Sequence, residues 1–546
     1  MSVILSILIP MLGGLALFLY GMKMMSNGLE LVAGNEMKNI LEKLTSNRFV
    51  SILIGAAVTA IIQSSSATTV MLVSFVSSGI MSLEGAIWII YGANIGATMT
   101  NLLTSLDVYT LACLMAMIGV GMIVFLKKPK LNNIGMIIAG LGILFIGMKQ
   151  MSTAVAPVKE MESFTSLMLK FSSPIPGVLF GTAFAGLIQS SGAAIGILQT
   201  FAETGAINLA GSVYLVFGMN IGTCITAALA SAGGTKDAKR TAMMHFLYNV
   251  VGTVIFVIIM IICGSFITNT IANNISGVKG QIAAFNIIYK VSTSILFLPF
   301  GKYFVIAAKK IIKGDDDEAT KKQNRLSNIN LSTYNLGNIS VAIASLSKEI
   351  DYMMLLVIQN VTEGFEALIN HDNSHKEELY AREEEINQSR ADIMEYMEKV
   401  SALKLNLEDS ELIMSYYKVT NELERLGDYA RHLMKYAESE KPLNPEAIEE
   451  VRTLYYELSQ GFVLFEGSDQ NRDSVDKLRA REAEVDHLME QFLENQNQRV
   501  KAGVTTPSRM ALYSNVLTDV QRMFDHMMKV VMEATKHNYS VIAPKN

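Results

Sequence analysis

Three cysteines in 546 residues, Cys113, Cys224 and Cys263, stand in apolar stretches with neither a CxxC pair nor metal-ligand spacing. That argues against a disulfide framework and against a zinc site. A Walker A lysine motif, HExxH and a nucleophile elbow are all missing, and no His or Lys stands near the abundant serines in sequence to act as a general base. An enzyme is therefore not expected. Nor is there a basic patch with interleaved aromatics, and the net charge of −5 is small for this length, so nucleic acid is not an expected partner. The N-terminal run Met1–Tyr20 lacks a basic leader and a small-residue cleavage site, and Lys23 comes after the apolar run. It reads as an uncleaved membrane helix with its N-terminus outside.

Charge is scarce over about the first 310 residues. Between Phe49 and Lys127 the charged side chains are Glu84 and Asp107 alone. A mean hydropathy of +0.32 averages this apolar part with a polar, charge-rich remainder that begins at Asp315. Ionisable groups at bilayer depth are costly, so the apolar part is expected to be a membrane domain.

What is present is a duplication. Gln63-Ser64-Ser65-Ser66 is matched by Gln189-Ser190-Ser191-Gly192, displaced by 126 positions. The same displacement relates Gly92-Ala93-Asn94-Ile95-Gly96 to Gly218-Met219-Asn220-Ile221-Gly222. It also relates Gly21-Met22-Lys23-Met24-Met25-Ser26 to Gly147-Met148-Lys149-Gln150-Met151-Ser152.

A helix crosses a bilayer with about 20 apolar residues. Full spans are expected near 4–22, 83–104, 108–126, 134–151, 208–230, 243–268 and 282–308. The segments 50–80 and 176–206 are apolar but interrupted by Gln-Ser-Ser. About 13 residues on either side give roughly 20 Å of helix, short of a hydrocarbon core of about 30 Å. Each is expected to be a re-entrant helix–turn–helix hairpin; an unbroken helix with its serines bonded to its own carbonyls is the alternative. Three crossings between the repeat starts, an odd number, would invert the second repeat relative to the first. Lys38, Lys43 and Arg48, Lys127, Lys128 and Lys130, Lys236, Lys239 and Arg240, and the run from Lys302 to Lys313 agree with a cytoplasmic C-terminus. Lys149, Lys159 and Lys170 run against it, partly offset by Glu160 and Glu162.

With no Arg or Lys in the repeat cores, an anion would be held by helix N-termini. The second helix of each hairpin starts just after Gln-Ser-Ser, so its N–H groups and positive dipole end face the tip. Gln63, Ser64, Ser65, Ser66, Gln189, Ser190, Ser191 and Gly192 are the candidate anion-binding residues. A divalent anion at mid-bilayer needs further countercharge, which bound Na⁺ would supply through oxygen ligands. The candidates are Gln63, Thr68, Asn94, Thr98, Thr100, Gln189, Asn220, Thr223 and Thr226. Asn94 and Asn220 could instead be interhelical packing bonds, with Gly92/Gly96 and Gly218/Gly222 as small-residue contacts. His245 and Asn249, one turn apart, suit either a proton path or a structural pair.

At these residues the chain resembles the type II sodium–phosphate cotransporter family, with paired QSSS-type hairpins each followed by a G-x-N-I-G segment. Gln63-Ser64-Ser65-Ser66-Ala67-Thr68-Thr69 and Gly92–Thr98 match closely, and Ala242–Gly252 and Ala284–Pro299 look like the family's later helices. Gly192 replaces the third serine, and Cys224 stands where threonine is common. The resemblance covers roughly residues 1–310. It implies a multi-pass protein of the cell (inner) membrane that moves inorganic phosphate with co-transported Na⁺, phosphate on the tips and Na⁺ on the tips and unwound segments. Uptake and export are both open, as is a membrane-anchored sensor of phosphate state.

The remainder reads as all-α: apolar residues recur at helical spacing from Arg325, with Pro and Gly scarce until Pro442. Ala381–Asn387 resembles Ala480–Asp486, and Glu424–Asp428 lines up with Gln521–Asp525, which predicts two three-helix bundles. This part resembles PhoU, a phosphate-signalling regulator. That resemblance implies a regulatory dock and a divalent-metal site on Glu424 and Asp428, although Gln521 breaks the acidic pair in the second copy and a solvated helix face is the alternative. The expected organisation is an all-α chain with membrane repeat 1 at 1–126, repeat 2 and the final helices at 127–313, a linker at 314–324 and a cytoplasmic helical-bundle domain at 325–546. Expected partners are phosphate, sodium and membrane lipid, with a homodimer and phosphate-signalling proteins left open.

Overall fold

The computed structural model describes residues 2–42, 47–77, 81–126, 128–157, 166, 170–232, 234–314, 336–403, 405, 407–440, 442–466 and 472–536. Lys43, Lys127, Lys159, Glu160, Glu162 and the linker stretch 315–324 lie outside them. Two compact units, Met1–Val341 and Ala342–Asn546, make up the chain. Among the described residues both are built from helices alone.

In the first unit, α1 (Ser2–Glu42) runs well past the expected crossing at 4–22. It is followed by α2 (Arg48–Ile62), α3 (Ser65–Ser77), α4 (Leu83–Gly96), α5 (Thr98–Thr104), α6 (Tyr109–Phe125) and α7 (Pro129–Val155). The second copy supplies α8 (Pro174–Ile188), α9 (Ser191–Glu203), α10 (Leu209–Gly222) and α11 (Cys224–Ser231). Helices α12 (Lys236–Asn274), α13 (Val278–Phe297) and α14 (Gly301–Ile311) complete it. Pro299 in the 3₁₀ turn Leu298–Phe300 separates α13 from α14, because its ring cannot donate a helical N–H.

Among the described residues, five helical stretches are long and apolar enough to cross a membrane, and up to seven if each bent pair counts as one span. The segments 83–104 and 109–125, expected as two straight crossings, make one such pair, bent by 104° across 105–108. The interruption falls where the sequence separates the two spans, at Ser105–Val108 with Asp107 in it; the sharp bend between the arms is what hydropathy does not carry.

The duplication is kept in three dimensions. Helix bounds recur at the 126-residue displacement: 48–62 becomes 174–188, 65–77 becomes 191–203, and 83–96 becomes 209–222. In the first copy α2 packs along α4, and in the second α8 packs along α10. Glycine permits both. A methyl group on Gly92 would collide with the Ile52 carbonyl oxygen, and one on Gly218 with that of Val178, the equivalent pair.

The contact between α1 and α7 is self-complementary. A methyl on Gly14 would come within 2.8 Å of the Gly147 carbonyl oxygen, and one on Gly21 within 2.6 Å of that of Gly140. Gly14 and Gly140 are equivalent, as are Gly21 and Gly147, so each pair is the image of the other. Such reciprocity is what a two-fold relation between like surfaces produces.

The second unit comprises α15 (Leu336–Asn370), α16 (Lys376–Ser401), α17 (Leu407–Ala437), α18 (Pro445–Glu466), α19 (Arg472–Lys501) and α20 (Pro507–Lys536). These form two three-helix groups, with α17 against α20. The two sequence matches fall on corresponding helices, α16 with α19 and α17 with α20.

Gly92→Ala and Gly218→Ala are expected to force the paired helices apart. Each should destabilise the membrane unit by about 1–3 kcal/mol, as overpacking of close contacts does. A fall in the midpoint of thermal unfolding in detergent, of similar size for the two variants, checks this.

Candidate functional site

Each Gln-Ser-Ser stretch is a true break. Gln63 ends α2 in the left-handed region (φ 57°, ψ 25°), and Gln189 ends α8 there (φ 61°, ψ 20°). Left-handed backbone at a side chain other than Gly, Asn or Asp costs about 1–2 kcal/mol. Both glutamines still donate their N–H to the fourth residue back, Thr59 and Ala185. The chain then restarts one residue later. Ser64 and Ser190 cap the new helices, their hydroxyls accepting from Ala67 N at 3.1 Å and Ala193 N at 3.2 Å. The first-turn N–H groups of α3 and α9 consequently face the breaks. With 15 and 13 residues per arm, the helices reach about 22 and 20 Å at 1.5 Å per residue. The α8–α9 arms diverge by 120°.

The two breaks lie together. The Ser66 hydroxyl donates to the Gln189 carbonyl at 3.2 Å. Thr100 on α5 donates to Gln63 Oε1 at 2.9 Å, while Gln63 Nε2 donates to Ala60 O at 2.5 Å. Gly192 lies on the Thr100 side chain, where a methyl would sit 3.0 Å from Cγ2. The serine missing from the second copy is therefore the one whose side chain would meet Thr100. Gln63, Ser64, Ser65, Ser66, Ser190 and Gly192 are half-buried, Ser191 is buried and Gln189 is exposed.

Crossed packing holds this junction. Gln199 on α9 accepts from Thr104 at 2.6 Å and donates to Asn101 O at 3.1 Å, tying the second hairpin to the first copy's α5. The reciprocal contact, Val73 of α3 with Ala227 of α11, is apolar. Gln199 was invisible to the motif comparison because its counterpart at position 73 is valine.

The candidate cation ligands divide. Gln63, Thr100 and Gln189 belong to the junction. Thr68 is buried one turn behind it, bonded to Thr59 at 3.0 Å and to Ser64 O. The hydroxyls of Thr98, Thr223 and Thr226 turn back to carbonyls of their own segments, Ile95, Asn220 and Thr223. Asn94 and Asn220 both reach α13. Asn220 donates to Asn286 Oδ1 at 3.1 Å, and Asn94 Oδ1 accepts from Lys290 Nζ at 2.5 Å.

Lys290, on α13 and outside the repeat cores that the expectation of a site without Arg or Lys concerned, is a buried cation beside Asn94. It is 3 % exposed and donates also to Asn249 Oδ1 at 2.8 Å. Its signal in the sequence is isolation: from Gly280 to Gly301 it is the one charged residue. Of His245 and Asn249, Asn249 Nδ2 donates to the backbone carbonyl of His245 at 3.0 Å. Nδ1 of His245 is buried without a hydrogen-bond partner.

In the second unit Glu424 and Asp428 lie one turn apart on α17, beside Glu383, whose carboxylate accepts from Arg431 at 3.0 Å. Burial, then Asp428, raises the Glu424 carboxyl above its usual value; burial, then Glu383, raises that of Asp428. No group of three or more His, Cys, Asp and Glu suited to a metal occurs among the described residues, so nothing there supports the expected divalent site. Groups bound to protons more tightly when folded contribute stability at low pH and lose it as pH rises through their folded values. Glu424→Gln with Asp428→Asn should therefore raise the unfolding temperature of this unit at pH 7. The gain should vanish as pH falls towards the ordinary 4.5 and 3.8. Unfolding followed by circular dichroism across that range checks it.

The Na+/Pi-cotransporter family matches residues 17–153 and again 147–290, and the PhoU domain matches 350–437. "Uncharacterized protein YqeW" of Bacillus subtilis is 31% identical over 300 residues, 55% of this chain and 96% of its own length. "Putative inorganic phosphate export protein YjbB" of Escherichia coli is 23% identical over 535 residues, 94% of this chain and 95% of its own. "Sodium-dependent phosphate transport protein 2B" of Homo sapiens is 38% identical over 101 residues, 18% of this chain and 15% of its own. No solved structure matches. The two family matches follow the structural duplication, and the chain belongs to the Na+/Pi-cotransporter family of phosphate-transporting membrane proteins, with a C-terminal PhoU domain.

Proposed function

We propose that this protein carries inorganic phosphate across the membrane by binding it at the junction of the two broken hairpins, coupled to Na⁺. One observation carries the reading: two left-handed glutamines, at equivalent positions, bring two capped helix starts to the same place. Helix N-termini supply N–H donors and positive dipole ends, which suit an oxyanion. Ser65, Ser66 and Ser191 add hydroxyls, and the half-buried tips leave a ligand a way in. Opposed repeats inverted in the bilayer, with the PhoU domain on the cytoplasmic side as a regulator, complete the proposal. Such an arrangement places a site at the midplane, where rocking of one repeat against the other gives alternating access.

For net direction, export is the reading we favour. It is supported by YjbB, whose name refers to phosphate export and which aligns over 94% of this chain, against the 18% covered by the sodium-dependent relative. Na⁺ coupling rests on the family and on the oxygen-rich junction, and is separable from direction by experiment.

In proteoliposomes with imposed gradients, ³²P-phosphate exchange is expected, reduced when choline replaces Na⁺. Gln63→Gly and Gln189→Gly separate binding from folding. Glycine accepts the left-handed backbone without strain, so the unfolding temperature should hold or rise in Gln189→Gly, and in Gln63→Gly this gain offsets part of the loss of the bonds to Thr100 and Ala60. Exchange should fall at least about tenfold in each, because the carboxamide proposed to bind phosphate is gone. Exchange unchanged in both variants rejects the junction as the binding site, and equal exchange in choline rejects the coupling.

A further inference from the structure

The most unusual group of the membrane unit is Lys290, which the hairpin scheme does not use. Helix α13 contacts α4, α5, α9 and α10, and so runs between the two copies. From it Asn286 reaches the second copy at Asn220, and Lys290, one turn on, reaches the first at Asn94. Equivalent asparagines therefore meet a neutral carboxamide in one copy and an amine in the other.

The oxygens are aimed at Nζ by construction. Asn94 Nδ2 donates to Ile90 O at 2.9 Å and Asn249 Nδ2 to His245 O at 3.0 Å, which leaves both Oδ1 atoms converging on the lysine. Both asparagines are buried, at 3% and 0% exposure. Around the amine stand the Tyr289 ring, its centroid 5.6 Å away, and Cys224, which accepts from Asn249 at 3.4 Å. Among the described residues no carboxylate is in ion-pair contact with Lys290. A buried ammonium without a counterion is expensive, and side chains of this kind at membrane depth mark substrate and ion pathways.

Two converging carboxamide oxygens in apolar surroundings are what a hard cation such as Na⁺ binds. Here a side chain supplies the cation. We propose that the Lys290 ammonium is a tethered substitute for one coupling cation, held on the Asn94 and Asn249 oxygens. The inference rests on the transport reading above. Its charge is compensated by the transported anion, so that one positive charge of the cycle belongs to the chain and is not drawn from solution. The link to the junction is short. Helix α4, which carries Asn94, breaks at Ala97 and continues as α5, whose Thr100 holds Gln63.

The test uses the full chain as wild type, Lys290→Ala, Lys290→Gln and Lys290→Met. Thermal unfolding in NaCl against choline chloride reads cation binding without reference to transport, and ³²P exchange reads function. In Lys290→Ala the two oxygens are vacated. Na⁺ should raise its unfolding temperature at least about 2 °C more than that of wild type. Its exchange, cut at least about tenfold in choline, should recover as Na⁺ is added. Lys290→Met fills the stem's volume with an apolar group and should show neither response. Lys290→Gln, whose shorter side chain leaves room for a cation and adds a carboxamide oxygen to it, should respond to Na⁺ as Lys290→Ala does and decides the matter if Lys290→Ala does not fold. Na⁺ responses in the Ala and Gln variants equal to that of wild type, or undiminished exchange in Lys290→Met, overturn the proposal. Should wild type show no exchange at all, the transport reading fails while the unfolding comparison still judges the cation site.

Discussion

A backbone that breaks inside an apolar domain must find partners for the N–H and C=O groups it frees, since each one left bare in hydrocarbon costs several kcal/mol. The membrane unit depends on how that demand is met. At each hairpin the break is kept to two residues: a glutamine closes the outgoing helix with a normal backbone bond, and a serine opens the next with its hydroxyl. The carbonyls released on the outgoing side are taken up from elsewhere. Ser26 on α1 donates to Ile62 O at 2.5 Å, and the Gln63 amide to Ala60 O. What stays available is the pair of helix starts, the groups that can serve an anion. Structural satisfaction and ligand readiness are thus two sides of one arrangement.

Much of this was legible because it involves residue types that do not belong in apolar sequence. Gln-Ser-Ser at a repeated spacing announced the breaks; the paired glycines, expected in segments that unwind, stay helical at 92–96 and 218–222 and make the close helix contacts that were the alternative. Crossings that start and stop in apolar sequence were placed approximately: α1 continues through Gly21 and Lys23, and α12 takes in the charged run Lys236–Arg240, because hydropathy marks where a span is apolar and not where a helix ends. The junction's second layer was hidden for a different reason. Gln199 and Lys290 have no counterpart at the repeat displacement, so a reading founded on duplication passed over both. Lys290 carries a signal of its own, a single charge in a long apolar stretch, and that signal is electrostatic where the others are patterns.

The copies agree in backbone and differ in chemistry. Thr59 and Thr68 bond across the first hairpin, where the second has Ala185 and Ala194. Gln199 ties α9 to α5 with hydrogen bonds, where Val73 meets Ala227 through methyl groups. Lys290 stands at one asparagine and Asn286 at the other. Helix bounds survive such divergence because they are set by caps, left-handed residues and glycine contacts, all of which both copies retain. Side-chain partners are free to change once the backbone is secured, and an asymmetric ligand needs them to.

A similar divergence accounts for the C-terminal unit, where the PhoU match ends at 437 although two similar three-helix groups are present. In the first group the acids Glu383, Glu424 and Asp428 are crowded together and held by Arg431. The crowding persists in the second, where Asp525 and Asp486 follow burial in raising the Glu482 carboxyl. There Gln521 stands for Glu424 and donates to Asp486 at 3.3 Å, while in the first group Asn387 stands for Asp486 and donates to Glu383 at 2.9 Å. An amide in place of a carboxylate relieves like-charge repulsion without a cation. Each group so holds three acids and one amide, with the amide at exchanged positions. The two groups therefore carry the same crowding of raised carboxyls through different residues, as the membrane copies carry the same backbone with different side-chain partners.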